Sequence, residues 1–177
     1  MTWERSEAAF HKKEGTMNAE GTEVKKTAGE RHILLALDES ENAKRVVLYV
    51  ADFLGGVPGF RVTLLKIIPE PPEDYFENDR ARKEWIENER EKGTAMLENF
   101  HSVLVHSGFR NDQVSTVVKL KPCPSVADCI LEEQQRLHCC TVVLGRRGIS
   151  RKEEFIFGST SSKVLHSGKN CAVWVIE

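Results

Sequence analysis

The first thirty positions show no sustained hydrophobic period, and from His32 onward two rhythms alternate to the end of the chain. The polar, glycine-punctuated stretch "EGTMNAEGTEVKKTAGER" predicts a flexible extension over residues 1–30, leaving 31–177 as the folded domain. "ILLAL", residues 33–37, is a short continuous apolar run, as expected of a strand buried on both faces. Ala43, Val46, Val47, Val50, Ala51 and Leu54 then fall at helical spacing, with Ser40 placed to cap the helix and Gly55-Gly56 to stop it. A second apolar run, "VTLLKII", ends at the proline-rich "PEPPEDY". The charged segment that follows carries Trp85, Ile86, Met96, Leu97, Phe100, Val103 and Leu104 on one helical stripe and stops at Ser107-Gly108. Gly93 interrupts that stripe and predicts a bend or local loosening. "QVSTVVKL" alternates in part and suits a strand near an edge. "PCPSVADCILEEQQRL" predicts a helix opened by Pro124 and Ser125, with Asp128 in its first turn. "CTVVL", "GSTSSKVLHSG" and "CAVWVIE" complete the series as strand, helix and strand.

Strands alternating with helices imply right-handed crossovers and a parallel sheet covered on both faces, an open, doubly wound α/β fold. Ligands of such sheets bind beyond the carboxyl ends of the strands, where the strand order reverses. The residues after the first and fourth strands therefore matter most. Asp38 follows the first, and Gly145-Arg146-Arg147-Gly148 follows the fourth. The next helix opens with Gly158-Ser159-Thr160. A phosphate site needs exposed N–H groups, small residues that let the anion approach, and a helix N-terminus aimed at it. Gly145 and Gly148 suit close approach, and Gly158 to Thr160 offer amides and two hydroxyls at a positive dipole end. Between them "ISRKEEFIF" is long enough to fold over a nucleotide, with Arg146, Arg147, Arg151 and Lys152 adding positive charge.

Composition narrows the partners. A chain of 177 residues suits one domain, and 25 basic against 27 acidic side chains argue against a dedicated nucleic-acid binder. No run approaches the roughly 20 apolar residues that span a bilayer, and the charged start lacks a secretory apolar stretch. The expectation is a cytoplasmic protein with neither nucleic-acid nor membrane partner. The five cysteines, odd in number and without a CxxC, predict free thiols rather than a disulfide framework. Cys140 and Cys171, each opening a strand, are expected to be neighbours. A metal site on His138, Cys139, Cys140 and Cys171 would suffer from adjacent ligands, which fit a tetrahedron poorly. The scattered histidines read as ordinary surface or core residues.

A GxxG alone is turn chemistry. The fuller pattern G-x2-G-x9-G-S, set between an apolar strand and a helix with Asp38 ending the first strand, is far more specific. With "HILLALDES", "LLKIIPE", "LGRRG", "GSTSSKVL" and "CAVWVIE", residues 32–177 resemble the universal stress protein family, in particular its ATP-binding branch. The resemblance implies a five-stranded parallel sheet of order 3-2-1-4-5, Rossmann-like and of the adenine nucleotide alpha hydrolase-like kind. It implies an adenine nucleotide, ATP with Mg²⁺, in the crevice. Asp38 would lie near ribose and metal, and the backbone of Ile67, at the end of the second strand, would contact adenine. Gly145, Gly148, Gly158, Ser159 and Thr160 would hold ribose and phosphates, with Arg147 standing where small polar residues or histidine are common. "KPCPS" departs from the glycine-containing turn usual before the third helix. Homodimers through strand 171–177 are also implied.

The chain lacks a GxxxxGK[ST] loop, an SGGxDS loop and any legible Ser-His-Asp or Cys-His set. The leading expectation is therefore a nucleotide-binding stress-response or regulatory protein. The alternatives are a homodimeric scaffold that needs no nucleotide, or a slow ATPase that phosphorylates itself at Ser159 or Thr160.

Overall fold

Nine regular elements follow one another in the computed structural model, which describes residues 29–146 and 158–177. They are β1 (Arg31–Ala36), α1 (Glu41–Leu54), β2 (Phe60–Pro69), α2 (Asp79–His106), β3 (Val114–Lys121), α3 (Val126–Arg136), β4 (Thr141–Gly145), α4 (Ser159–Ser167) and β5 (Ala172–Ile176). All strand pairs are parallel, and the order is β3-β2-β1-β4-β5. The chain thus winds outward from β1 to β3, then returns to the centre and winds the other way. The expected α/β architecture is present, with its order reversing between β1 and β4.

Side chains of β1 alternate between two cores. Ile33 and Leu35 face α1 and α2, together with Val46, Val47, Val50, Leu97 and Leu104. Leu34 faces α3 and α4, with Leu65, Val142, Ile130 and Val164. Each such side chain, fully withdrawn from water, contributes roughly 1.5–3 kcal/mol before entropy is charged against it. Among the described residues, no helix is long and apolar enough to cross a membrane.

α2 runs unbroken through Gly93. The glycine is buried, and Lys66 Cγ and Val118 Cγ1 stand 3.4 Å from where a Cβ would be. Those are ordinary contact distances, and at this point α2 packs against Lys66 of β2 and Val118 of β3. A closer approach occurs below the sheet, where α1 and α2 both end. A Cβ on Gly55 would lie 2.3 Å from the Ser107 carbonyl oxygen, and one on Gly108, at φ +114°, would lie 2.7 Å from the Gly56 nitrogen. The two helix ends meet main chain to main chain.

His32 is buried at the start of β1. Its Nδ1 donates to the Leu137 carbonyl at 3.0 Å, and its Nε2 accepts from the Thr63 hydroxyl at 2.8 Å. Thr63 is in turn 2.8 Å from the Ser115 hydroxyl. Burial and the charge of Arg61 hold the imidazole down at about 4, against the smaller opposing pull of the Leu137 carbonyl.

The expectation of free thiols holds for Cys139, Cys140 and Cys171 and fails for the other two. Cys123 and Cys129 form a disulfide, because the chain between β3 and α3 folds back over the first turn of α3. Cys140 and Cys171 are neighbours as expected. The Cys140 carbonyl accepts from Ala172 N–H at 2.8 Å, and burial together with Cys140 raises the Cys171 thiol above its usual range. Burial pushes Cys139 up to about 12. Among the described residues, no group of three or more His, Cys, Asp or Glu side chains is disposed to hold a metal ion.

Candidate functional site

β1 stops at Ala36, and Leu37 N–H makes one further bond to the Leu65 carbonyl at 2.9 Å. The chain then turns at Asp38, which is half-buried. Asp38 Oδ1 accepts from the Ser40 N–H at 3.0 Å and from the Ser40 hydroxyl at 2.5 Å. The same hydroxyl accepts from Ala43 N–H at 3.2 Å and caps α1. Ser40 therefore performs its expected capping role and also fixes Asp38 at the carboxyl end of β1.

Between Asp38 and Ser40, Glu39 reaches sideways to Lys66 of β2, with its two oxygens 2.7 and 2.8 Å from Nζ. Only 10% of the Lys66 side chain is exposed, against 49% for Glu39. Burial works to raise the Glu39 carboxyl. The Lys66 hydrogen bond and the charges of Lys66 and Lys92 outweigh it and hold Glu39 below its usual range. Sequence reasoning missed this pair. The signal was the lysine inside "VTLLKII", because an ammonium in a buried strand needs a partner.

Gly145 ends β4 beside the first turn of α1. A Cβ there would stand 2.8 Å from Asn42 Cβ, so the position requires glycine for close approach. The next residue joins three elements. Arg146 N–H donates to the Ile176 carbonyl at 2.7 Å, and its own carbonyl accepts from Gly158 N–H at 2.9 Å. The same carbonyl accepts from the Ser161 hydroxyl at 3.0 Å. Ser161 is 1% exposed, and neither it nor Arg146 was assigned this role from sequence. The ends of β4 and α4 are thus stitched together, which brings Gly158, Ser159 and Thr160 beside Gly145.

α1, α2 and α3 each begin with a side-chain cap, from Ser40, Asn78 and Ser125. α4 begins at Gly158 with no side-chain cap, so among the described residues no side chain at the N-cap takes up its first N–H groups. Arg147, Gly148 and residues 149–157, expected to fold over a nucleotide, lie outside the described residues. The structure therefore brings Asp38, Gly145, Gly158, Ser159 and Thr160 to one end of the sheet at the β1–β4 reversal.

Ile67 stands two residues before the end of β2. β2 continues to Pro69, and Ile67 is an interior residue paired with Lys119 of β3. Its side chain is 6% exposed, in the core beneath α3 and α4. Peptide groups alternate sides along a strand, and those of Leu65 face β1, as its bond to Leu37 shows. Those of Ile67 face the same way, two residues beyond the last β1–β2 pair, Ala36 with Leu65. A main-chain donor and acceptor are thereby aimed past the end of β1.

On the far side of α4, Lys163 Nζ is 3.0 Å from Ser125 Oγ and 2.7 Å from an Asp128 carboxylate oxygen. Asp128 also accepts from the Ser125 hydroxyl at 2.7 Å. Lys163 first, then Ser125, holds the Asp128 carboxyl below its usual range. This tie joins the N-terminus of α3 to the middle of α4.

Residues 30–177 match the sequence model of the Universal stress protein family. A comparison with curated proteins finds no match. Among solved structures, the fold is similar to universal stress protein UspA from Lactobacillus plantarum, with TM-score 0.71 and 18% identity over 85% of this chain and 99% of that one. It is also similar to a universal stress protein from Archaeoglobus fulgidus in complex with dAMP, at TM-score 0.55 and 18% identity, covering 84% and 99%. A universal stress protein in complex with cAMP gives TM-score 0.61 and 12% identity, covering 85% and 98%.

Proposed function

The chain belongs to the universal stress protein family, and from that premise we propose that it binds ATP with Mg²⁺ in the crevice between β1 and β4. In this reading it acts in the cytoplasm as a regulatory, stress-response nucleotide binder rather than as a catalyst. The observation that carries the proposal is the uncapped N-terminus of α4, held against the end of β4 by the Arg146 carbonyl and placed at the same end as Asp38. The amides of Ser159 and Thr160 and their hydroxyls take the phosphates, where a helix N-terminus favours anions. Gly145 lets the ligand lie close, and Arg147 and Gly148 complete the cradle. The outward peptide groups of Ile67 suit the donor-acceptor edge of adenine. That one relative is a complex with dAMP and another with cAMP favours an adenine nucleotide.

The residues fit Mg²⁺ in a limited sense. Both hydrogen bonds described for the Asp38 carboxylate fall on Oδ1, so its other oxygen can face a cation. Mg²⁺ commonly takes one or two carboxylates and completes its shell with phosphate oxygens and water. Asp38 would hold the ion, which would neutralise phosphate charge. No described side chain stands as a water-positioning base, so hydrolysis is expected to be slow.

The test is to purify the protein, denature it, and identify released small molecules, then measure thermal shifts with Mg-ATP, AMP and cAMP. Gly158→Asp supplies the missing cap and sets a carboxylate where the phosphates would lie. It should keep or raise stability, by about 0.5–1 kcal/mol, while abolishing the nucleotide shift. No adenine nucleotide released and no shift from Mg-ATP would sink the proposal.

A second reading, a homodimeric scaffold indifferent to nucleotide, is favoured by β5. This strand forms one edge of the sheet, and Trp174 on it packs edge-on against Tyr49 and Phe53 of α1 at 6.4 and 6.0 Å. Phe53 remains 59% exposed. A strand that is paired on one side only among the described residues, beside exposed aromatics, suits pairing with a second copy over residues 171–177. Light scattering that returns a monomer at working concentration counts against it. Mass spectrometry after incubation with ATP decides whether Ser159 or Thr160 accepts phosphate.

A further inference from the structure

We propose that the Cys123–Cys129 disulfide is a thiol–disulfide switch that sets how firmly α4 is held, and through α4 the affinity for nucleotide; the second half rests on the function proposed above. Three features single out this pair. The first is its place. Cys123 lies between β3 and α3, at the sheet end where Asp38 and Gly158 also lie, and Cys129 lies in α3 one residue beyond Asp128.

The second is what ties the turn before α3 to its neighbours: besides the Lys121–Glu132 ion pair and the Ser125 cap, its links run through side chains. Cys123 stands between Pro122 and Pro124, neither of which carries an N–H, so the main chain here has few bonds to make. Ser125 and Asp128 do the holding with side chains, and both are bonded to Lys163 of α4. The disulfide brackets these two residues. Whatever fixes or frees the segment from Cys123 to Cys129 therefore fixes or frees the anchor of Lys163, four residues from the start of α4.

The third feature is that the bond is not a global staple. It closes a sequence separation of only 6, and a short closed loop removes less entropy from the unfolded chain than a long one. Cys139, Cys140 and Cys171 remain thiols, so the chain is not of the disulfide-scaffold type. In a cytoplasmic protein a disulfide among free thiols is typically transient and redox-responsive.

The exchange balances without an outside electron source beyond a thiol reductant. A thiolate of a small dithiol attacks the half-buried Cys123 sulfur, and Cys129, buried in the core beneath α3, leaves as thiolate and takes a proton. The second thiol of the reductant displaces Cys123, giving two protein thiols and one oxidised dithiol. A low-molecular-weight disulfide reverses both steps and is itself reduced to two thiols.

The experiment uses the full chain, oxidised with glutathione disulfide or reduced with dithiothreitol and desalted, with free thiols counted in each state. Hydrogen exchange is then read on the peptide covering α4, and Mg-ATP affinity is read by calorimetry. Reduction should expose two further thiols, speed α4 exchange and weaken binding, each about two- to fivefold, the scale of one exposed ion-pair tie. The Cys123→Ser/Cys129→Ser double variant should show the reduced values under both treatments. Lys163→Met, which cuts the link, should show no redox dependence of α4.

Two further thiols with unchanged α4 exchange would overturn the switch, as would a pair that dithiothreitol leaves intact in the folded protein. Redox-dependent exchange with no nucleotide bound in either state supports the switch and refutes the nucleotide reading instead. Redox-dependent exchange with equal affinity in both states overturns the coupling to the ligand.

Discussion

Acidifying the protein through the range between pH 6.5 and 4 should draw on one buried group above the rest. His32 titrates at about 4 in the folded chain against 6.5 in its ordinary state. The folded form therefore binds fewer protons than the unfolded form between those values, and stability falls as pH falls through that window. The His32 contribution is intact above pH 6.5 and is lost by pH 4, a difference of about 3 kcal/mol. By pH 5 about 2 kcal/mol of it is gone. The structure shows why. Protonation turns Nε2 from acceptor to donor, and the Thr63 hydroxyl at 2.8 Å must then swing away from the bond it makes. Arg61 adds repulsion. Urea denaturation at pH 7, 6 and 5 should show this slope in the wild type, and His32→Gln, which keeps a donor and an acceptor without a titrating ring, should flatten it by about 2 kcal/mol. NMR of the wild-type imidazole supplies a reading that does not depend on the variant folding. A His32 ring that titrates near 6.5 in the native protein refutes the argument.

Gly145→Ala places a Cβ 2.8 Å from that of Asn42 and should cost about 1–3 kcal/mol, read as a fall in Tm of several degrees. Glu39→Gln strands the Lys66 ammonium and should cost about 1–2 kcal/mol in urea denaturation, less than a fully buried pair because Glu39 is half exposed. Adding Lys66→Met to that variant should recover most of the loss, since no charge then remains buried.

Strand and helix positions were legible because the apolar period changes at each boundary and real caps stand at Ser40 and Ser125. The Cys123–Cys129 bond was illegible because positions six apart are not neighbours on a helix. They meet only once the proline-flanked turn folds back over α3. In the site, Asp38, Gly145 and Gly158 were marked by their places beside strand and helix ends. The Arg146 carbonyl was not, since a main-chain acceptor has no sequence signature. Ile67 was placed by the resemblance alone, since nothing in the sequence tells that β2 outruns β1 by pairing there with β3 only.

The junction where α1 and α2 end carries a consequence for inheritance. At a side-chain contact, a bulky replacement on one partner can be rescued by a smaller residue on the other. Opposite Gly55 stands the Ser107 carbonyl, and opposite Gly108 the Gly56 nitrogen. Main-chain atoms cannot be made smaller by any codon change. Loss of glycine at either position should therefore have no suppressor across the contact. Reversion to glycine, or distant substitutions that stabilise the whole domain, should be the routes by which selection restores the protein.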